Sequence, residues 1–372
     1  MRLSCLLVAI FGAAILRVGV ETAVAQAPGQ ETIRVLESLR TKHDLPALAV
    51  VVIKAGRVCD RGAVGVRKTG DDTPVTIDDA FHIGSCTKSM TATLAGLLID
   101  QGQLRWDTTV AEIFPEWKEK MQPEYQKVTV EQLLQNRGGF ATEPPAAAWG
   151  RAWLEKGSVL NQRRDFLTAV LAQKPEAEPG QQMIYSNQGY TLVGAMLEKI
   201  EKKPWEQIAQ ERLFKPLKMN SAGFGFPGRQ GKVDQPWGHT RNRNKNKPEQ
   251  SDNPPAISPA GRVHCSLDDL AKYVAVHLGS KTAPRLLKPE TLKRLHTPPA
   301  GEEYACGWNA IERPWAGGTA LMHNGTNTLW YAVMWLAPEK EFAVLSATNV
   351  GGAGAETACD EVTVAMINKW LK

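Results

Sequence analysis

Cysteine is scarce and poorly spaced for metal binding. The chain has six cysteines and seven histidines in 372 residues, with no Cys-x-x-Cys and no His-x-x-x-His pattern, so no metal or other cofactor is expected. Charge of one sign is also lacking. Lys plus Arg is 44 against 39 Asp plus Glu, a net +5, too slight an excess to hold a polyanion. The one basic cluster, Arg241-Asn-Arg243-Asn-Lys245-Asn-Lys247, sits in a Pro- and Asn-rich stretch with no aromatic residue inside it. It reads as a solvated loop, and no nucleic-acid partner is expected. Beyond the N-terminus no apolar run is long enough to span a membrane, and no internal repeat is evident.

What is present begins with an export pattern. Arg2 precedes an apolar run over residues 6–16, and Ala23-Val24-Ala25 forms a small-x-small cleavage site. Residues 1–25 are therefore expected to be a signal peptide, and the mature protein periplasmic or secreted. Their removal takes away Arg2, Arg17 and Glu21 and leaves the chain one charge less positive. Cys59, Cys86, Cys265, Cys306 and Cys359 remain. Their odd number leaves at least one thiol free or paired between chains, and spacing does not fix a connectivity.

The hydrophobic pattern changes period along the chain. Ile33, Leu36 and Leu39 recur at helical spacing to about residue 43, and β-rich runs follow at 47–53 and 58–66 around a turn. A helix is expected from residue 85 to 100, with Leu94, Leu97 and Leu98 on one side and Gly102 as its stop. The middle reads as mostly helical, most clearly at 131–135, 165–173 and 189–200. Strand character returns at 305–313, 319–322, 329–337 and 342–348, with Pro338-Glu339-Lys340 as a hairpin turn. A last helix is expected over 356–371. This order describes an α/β (α+β) fold. One lobe is built from residues 26–82 and 256–372, a mainly helical lobe is inserted over 83–255, and the active site lies between them.

Three short motifs carry chemistry. Ser85-Cys86-Thr87-Lys88 opens the first long helix. A serine hydroxyl needs a base to become a nucleophile, and a lysine three residues on lies one helical turn away on the same face. Free N–H groups at the helix start favour a developing oxyanion. Ser-x-x-Lys is weak alone: average composition predicts roughly one chance match in such a chain, and this chain has one. For Lys88 to act as base, its pKa must fall from about 10.4 toward about 7, by desolvation and the helix terminus. Tyr185 is the reserve base and would need a comparable depression. Tyr185-Ser186-Asn187 is the only Tyr-x-Asn in the chain. Its tyrosine can relay a proton, and its amide can hold a substrate carbonyl or orient the lysine. His323-Asn324-Gly325 lies between two late strands. There His323 can hydrogen-bond a substrate carboxylate, and Gly325 can let a substrate backbone approach the strand edge. His-x-Gly also occurs at His82 and His277. Lys68-Thr69-Gly70 reads as a decoy, because it precedes Ser85 in a turn.

Taken in order, these motifs resemble the serine β-lactamase and penicillin-binding-protein superfamily, in particular the branch of class C β-lactamases, serine D,D-peptidases and related esterases. The likeness runs from about residue 31 to 372. It includes Val128-Thr-Val-Glu-Gln-Leu-Leu134, Tyr185-Ser-Asn-Gln-Gly-Tyr190, Leu213-Phe-Lys-Pro-Leu217 and Ser258-Pro-Ala-Gly261. It implies a β-lactamase/transpeptidase-like fold, an antiparallel sheet flanked by N- and C-terminal helices. It also implies Ser85 as nucleophile, Lys88 as its base, Tyr185 as proton shuttle, Asn187 as a substrate contact, and the N–H groups of Ser85 and Thr326 as the oxyanion hole. Two positions depart. Class C enzymes carry Lys-Thr-Gly where this chain has His-Asn-Gly, a form found in D,D-peptidases and some esterases, which moves weight away from dedicated β-lactam resistance. Arg137-Gly138-Gly139 stands where a small polar residue often precedes the glycine.

The expected function is hydrolysis of an ester, amide or β-lactam bond through a Ser85 acyl-enzyme, on a small-molecule or peptide substrate. The alternatives are a D-alanyl-D-alanine carboxypeptidase acting on cell-wall peptide and a catalytically silent binding module of the same fold. The intact Ser85, Lys88, Tyr185 and Asn187 set argues against the last.

Overall fold

A computed structural model describes residues 29–242 and 245–371; the export pattern of residues 1–25 lies outside them. The described chain opens with helix α1 (Gln30–Lys42) and strands β1 (Ala47–Lys54) and β2 (Arg57–Gly65). The short strand β3 (Phe81–His82) leads through a 3-10 turn (Gly84–Cys86) into α2 (Thr87–Asp100). Helices α3 (Val110–Ile113), α4 (Val130–Leu134), α5 (Ala146–Ala152), α6 (Val159–Leu171), α7 (Asn187–Glu201) and α8 (Trp205–Ala209) fill the middle. Strands β4 (Gly223–Phe224), β5 (Gly238–Asn242) and β6 (Lys245–Glu249) follow, then α9 (Ser258–Gly261), β7 (Val263–Cys265), α10 (Leu267–His277) and α11 (Pro289–His296). The chain closes with β8 (Asn309–Arg313), β9 (Gly318–Thr326), β10 (Tyr331–Ala337), β11 (Phe342–Thr348) and α12 (Ala353–Trp370).

The main sheet is antiparallel, in the order β2-β1-β11-β10-β9-β8. Its centre joins the two ends of the chain, with Leu48 opposite Thr348 and Lys54 opposite Phe342. The fold is therefore mixed α/β, its helical middle an excursion between two halves of one sheet. β1 is an unbroken apolar run because both faces of the sheet are covered. Alternate side chains feed two cores. Ala47, Ala49, Val51 and Ile53 face the cluster built on α2, α7 and α10. Leu48, Val50 and Val52 face Leu36 of α1 and Ala358, Val362 and Met366 of α12. The same parity runs through β9, β10 and β11 and decides below which residues can reach the site.

Local sequence explains several boundaries. Thr109 and Thr129 each accept a hydrogen bond from the backbone three residues on, while Glu112 and Gln132 reach back to the threonine N–H. These capping boxes set the starts of α3 and α4. The late strand expected from residue 305 begins only at Asn309, because Ala305 N–H closes a turn onto the Trp308 carbonyl at 2.7 Å. The stretch read as a solvated loop around Arg241 is instead the β5–β6 hairpin. Its composition has little strand propensity, but docking overrides it. Arg241 and Asn246 each donate to backbone carbonyls at the end of α1, His43 and Asp44, at 2.8 Å. All five described cysteines are free thiols.

One buried ion network joins the helical middle to the segment beneath the site. Arg163 of α6, fully buried, donates to the carbonyls of Ala256 at 3.0 Å and Pro255 at 3.1 Å. It also bonds the carboxylates of Glu198 and Glu206. Removing one partner of a buried ion network strands the rest without compensation, at a cost of about 3–5 kcal/mol. Arg163→Met should therefore lower the denaturant midpoint markedly. A midpoint equal to the parent's in urea unfolding would show that the network contributes little.

Candidate active site

The turn after β3 delivers Ser85 to the edge of the sheet. Gly84 has φ +49°, in the left-handed region that glycine enters at least cost. A Cβ there would lie 2.4 Å from Thr326 N, and one on Gly325 would lie 2.1 Å from the Ile83 carbonyl oxygen and 2.4 Å from Ser85 N. The two glycines thus let the turn carrying Ser85 press directly onto β9. Gly325 was expected to admit a substrate backbone; the space a side chain would take is filled by the protein's own backbone. The result is that the backbone of residues 83–85 lies directly against the backbone of residues 325–326. Ser85 itself is half-buried. Its neighbour Cys86 turns inward, with Sγ 3.4 Å from the His323 carbonyl oxygen. Burial pushes that thiol far above its ordinary pKa, so Cys86 is an inert core residue.

Lys88 lies one helical turn further on, with none of its surface exposed. Its Nζ is 3.1 Å from Ser85 Oγ and donates to Asn187 Oδ1 at 2.7 Å and to the Ala260 carbonyl at 2.9 Å. The Tyr185 ring covers it, with its centroid 4.7 Å away. Burial lowers the lysine pKa to about 7. At neutral pH a substantial fraction is therefore free amine, able to take a proton.

Burial raises the Tyr185 phenol well above the ordinary value, and Ser85 nearby offsets this only in part. That direction removes it as a reserve base: it is a neutral phenol, able to pass a proton but not to start by accepting one. Asn187 begins α7, and Ser186 caps that helix through the Gln188 N–H. The Asn187 carbonyl oxygen is taken by Lys88, so the amide orients the lysine.

The third motif divides by strand parity. His323 points toward Lys88 but is only 2 % exposed. Its Nδ1 lies 2.6 Å from the Asn324 carbonyl oxygen, which only accepts, so Nδ1 carries the proton. Its Nε2 faces the Tyr304 hydroxyl at 3.3 Å. Burial, aided by Lys88, pushes its pKa down to about 3. The ring is uncharged with both nitrogens engaged, unlike the carboxylate donor expected of it. The Asn324 side chain points to the opposite face of the sheet and donates to the Tyr331 hydroxyl at 3.2 Å. It is not brought to Ser85. Lys68, the decoy, lies over the Trp237 ring, while Thr69 N–H donates to His239.

Sequence reasoning missed the Ala260 carbonyl, Tyr304 and the role of Arg137. The first sat in the phrase Ser258-Pro-Ala-Gly261; Tyr304 had no signal. Arg137 bonds the Glu302 carboxylate and the Gly180 carbonyl. It ties the loop before Tyr185 to the loop before Tyr304, a link that a small polar side chain cannot span.

A family model described as Beta-lactamase matches residues 32–364. The chain belongs to the Beta-lactamase family. Penicillin-binding protein 4 of Amycolatopsis lactamdurans is 26% identical over 334 residues, covering 85% of this chain and 84% of that protein. An octameric penicillin-binding protein homologue from Pyrococcus abyssi has TM-score 0.75 at 21% identity, over 91% of this chain and 77% of its own. A D-alanine carboxypeptidase AmpC from Burkholderia cenocepacia has TM-score 0.72 at 21% identity, over 90% and 98%. These structures share the fold: a mixed α/β body with an antiparallel sheet.

The Gly84–Gly325 contact has a direct test. Gly325→Ala places a methyl group into backbone atoms that cannot rotate away, and should separate the N–H groups of Ser85 and Thr326. If these amides form the oxyanion hole of an acylated Ser85, where loss of one donor costs about 10²–10³ in rate, acylation should fall by a comparable factor with the circular dichroism spectrum retained. A parent-like acylation rate would show that the close approach is not needed.

Proposed function

We propose that this protein is a serine hydrolase that transfers an acyl group from an ester or amide to water through Ser85. The observation that carries the reading is the fully buried Lys88, with its pKa near 7 and its amine 3.1 Å from Ser85 Oγ. In the proposed reaction the Lys88 amine takes the Ser85 proton as Oγ attacks the carbonyl carbon. The oxyanion forms against the N–H groups of Ser85 and Thr326. The leaving group departs with a proton passed from Lys88 through the Tyr185 hydroxyl, and water then cleaves the ester left on Ser85. Asn187 holds Lys88 and turns its amide nitrogen toward the substrate carbonyl.

The state of His323 bears on the substrate. An uncharged, fully engaged ring offers no cation for a carboxylate, which favours acyl groups recognised without one, such as simple esters. A second reading is a D,D-carboxypeptidase that binds β-lactams; its support is the penicillin-binding relative. The reading includes export through residues 1–25, so the mature chain should begin near Gln26 by mass spectrometry. Among the described residues no helix is long and apolar enough to cross a membrane.

Purified protein should be offered a short-chain aryl ester, a D-Ala-D-Ala peptide and a fluorescent penicillin. Turnover of the ester, and a covalent adduct mapping to Ser85, are expected; faster turnover of the peptide selects the second reading. Full labelling of Ser85→Ala excludes Ser85. The pH profile follows from Lys88. Its folded pKa is lowered, so the working amine predominates above about pH 7. With a base of pKa near 7, acylation at pH 6 should be about tenfold slower than at pH 8. Lys88→Arg, which keeps a charge that cannot be shed, should abolish acylation. Parent-like rates in that variant would exclude Lys88 as the base.

A further inference from the structure

Ser85 and Thr326 lie far apart in sequence, yet two oxyanion donors must be held to within about 0.5 Å to act together. The packing of Gly84 against Gly325 sets how closely the segments approach, but contact between two glycines has no directional bond to stop one sliding along the other. A polar bridge behind the contact supplies that direction.

The bridge starts at His82, whose side chain is fully buried. Its Nδ1 accepts the Gly84 N–H at 3.1 Å and so carries no proton. The ring N–H is then on Nε2, directed at Asp252 Oδ2, 3.0 Å away. Asp252 is 2 % exposed at its side chain. Its Oδ1 accepts from Asn327 Nδ2 at 2.9 Å and from the Asn253 N–H at 2.7 Å. Its Oδ2 also accepts from Arg262 Nε at 3.1 Å. Asn327 directly follows Thr326, and its Oδ1 accepts the Leu329 N–H at 3.2 Å. Thr326 Oγ1 in turn accepts the Thr328 N–H at 2.9 Å. A continuous chain of hydrogen bonds therefore runs from the residue before Ser85 to the residue after Thr326.

A buried carboxylate is a costly way to gain stability. Well-packed apolar residues usually do as well or better, because both charges must otherwise leave water. Burial alone would raise the Asp252 carboxyl, yet His82, Arg262 and Asn327 together hold it below its ordinary value, so it is an anion that attracts all its donors at once. The directional demand comes from the two ends of the bridge.

We propose that the His82–Asp252–Asn327 bridge sets the separation and aim of the Ser85 and Thr326 N–H groups, which makes these three side chains positioning residues for the oxyanion. The inference rests on the reading of Ser85 as the acylated residue. It predicts an effect on the strength of the oxyanion hole rather than on substrate capture.

The test uses His82→Asn, Asp252→Asn and Asn327→Ala in the full chain. Asparagine at 82 keeps an acceptor for Gly84 but is too short to reach Asp252. Asn327→Ala cuts the bridge at its outer end, where loss of folding is least expected. For each variant the kcat and KM on an aryl ester, the carbonyl stretch of the acyl-enzyme by infrared difference spectroscopy, and the thermal midpoint are measured. Loss of a whole oxyanion donor costs about 10²–10³ in rate, so a misaimed pair should lose about tenfold to a hundredfold in kcat, with KM within about twofold. The acyl carbonyl band should move to higher frequency as its polarisation weakens. The double variant His82→Asn/Asp252→Asn should lose no more than the worse single variant, because both cut one device. If the variants melt earlier but keep the parent's kcat and carbonyl band, the bridge is only structural and the inference is overturned, while the acyl-enzyme reading stands. If the parent is not acylated at Ser85 at all, both are overturned.

Discussion

Lys88 holds an amine wholly out of water, and much of the surrounding structure follows from that constraint. Desolvation disfavours its charge, and the fall from 10.5 to about 7 corresponds to roughly 5 kcal/mol at about 1.36 kcal/mol per pH unit. A group under that strain persists only if every direction around it is occupied. The Ala260 carbonyl closes it from below, Asn187 Oδ1 from α7, and the Tyr185 ring from above. Each comes from a different element, so the depressed pKa requires the helical middle and α9 to be docked. Arg163 belongs to this account, because its bonds to Pro255 and Ala256 fix the segment that leads into α9.

The same burial separates the roles of neighbouring groups by sign. Desolvation pushes an amine down and a phenol or thiol up. Lys88 thereby becomes a base near neutrality, whereas Tyr185 and Cys86 are locked in their protonated forms. In the proposed reaction the two groups thus differ in readiness: Lys88 can accept a proton first, and Tyr185 can only relay one. Pairs of groups driven apart in this way are how one site provides both acid and base at a single pH.

Much of this was legible in sequence, for reasons tied to period and order. The apolar run at 47–53 and the late β-branched runs gave the sheet, because strands covered on both faces need continuous apolar residues. Ser85 and Lys88 were legible because helical spacing fixes their relation locally. What escaped was set by tertiary contact. The β5–β6 hairpin has unfavourable composition and is held by carbonyls at the end of α1. Tyr304 reaches His323 across a loop with no local pattern. The engagement of both His323 nitrogens depends on Tyr304 and on a carbonyl of its own strand, which no motif records. The contact of Gly325 with the turn before Ser85 escaped for the same cause, because its partner is another part of the chain.

Strand parity then changes what the third motif does. In β9, odd residues from Leu321 face the helical lobe and even ones face α12, so a three-residue motif cannot present all its side chains to one site. Asn324 is removed by geometry, bonding Tyr331 on the far side. His323 is on the right face but is buried, neutral and bonded at both nitrogens. In the proposed reaction what the motif offers is backbone: the N–H that follows Gly325, where the absence of a side chain lets the turn of Ser85 approach. The proposed chemistry is thus divided between a lysine tuned by burial and a pair of backbone amides. Arg137 joins the loop before Tyr185, through the Gly180 carbonyl, to the loop before Tyr304, through the Glu302 carboxylate. Lys88 and Asn187 are held by α2 and α7, whereas Ser85 and Tyr185 sit in the turn and the loop that lead into those helices.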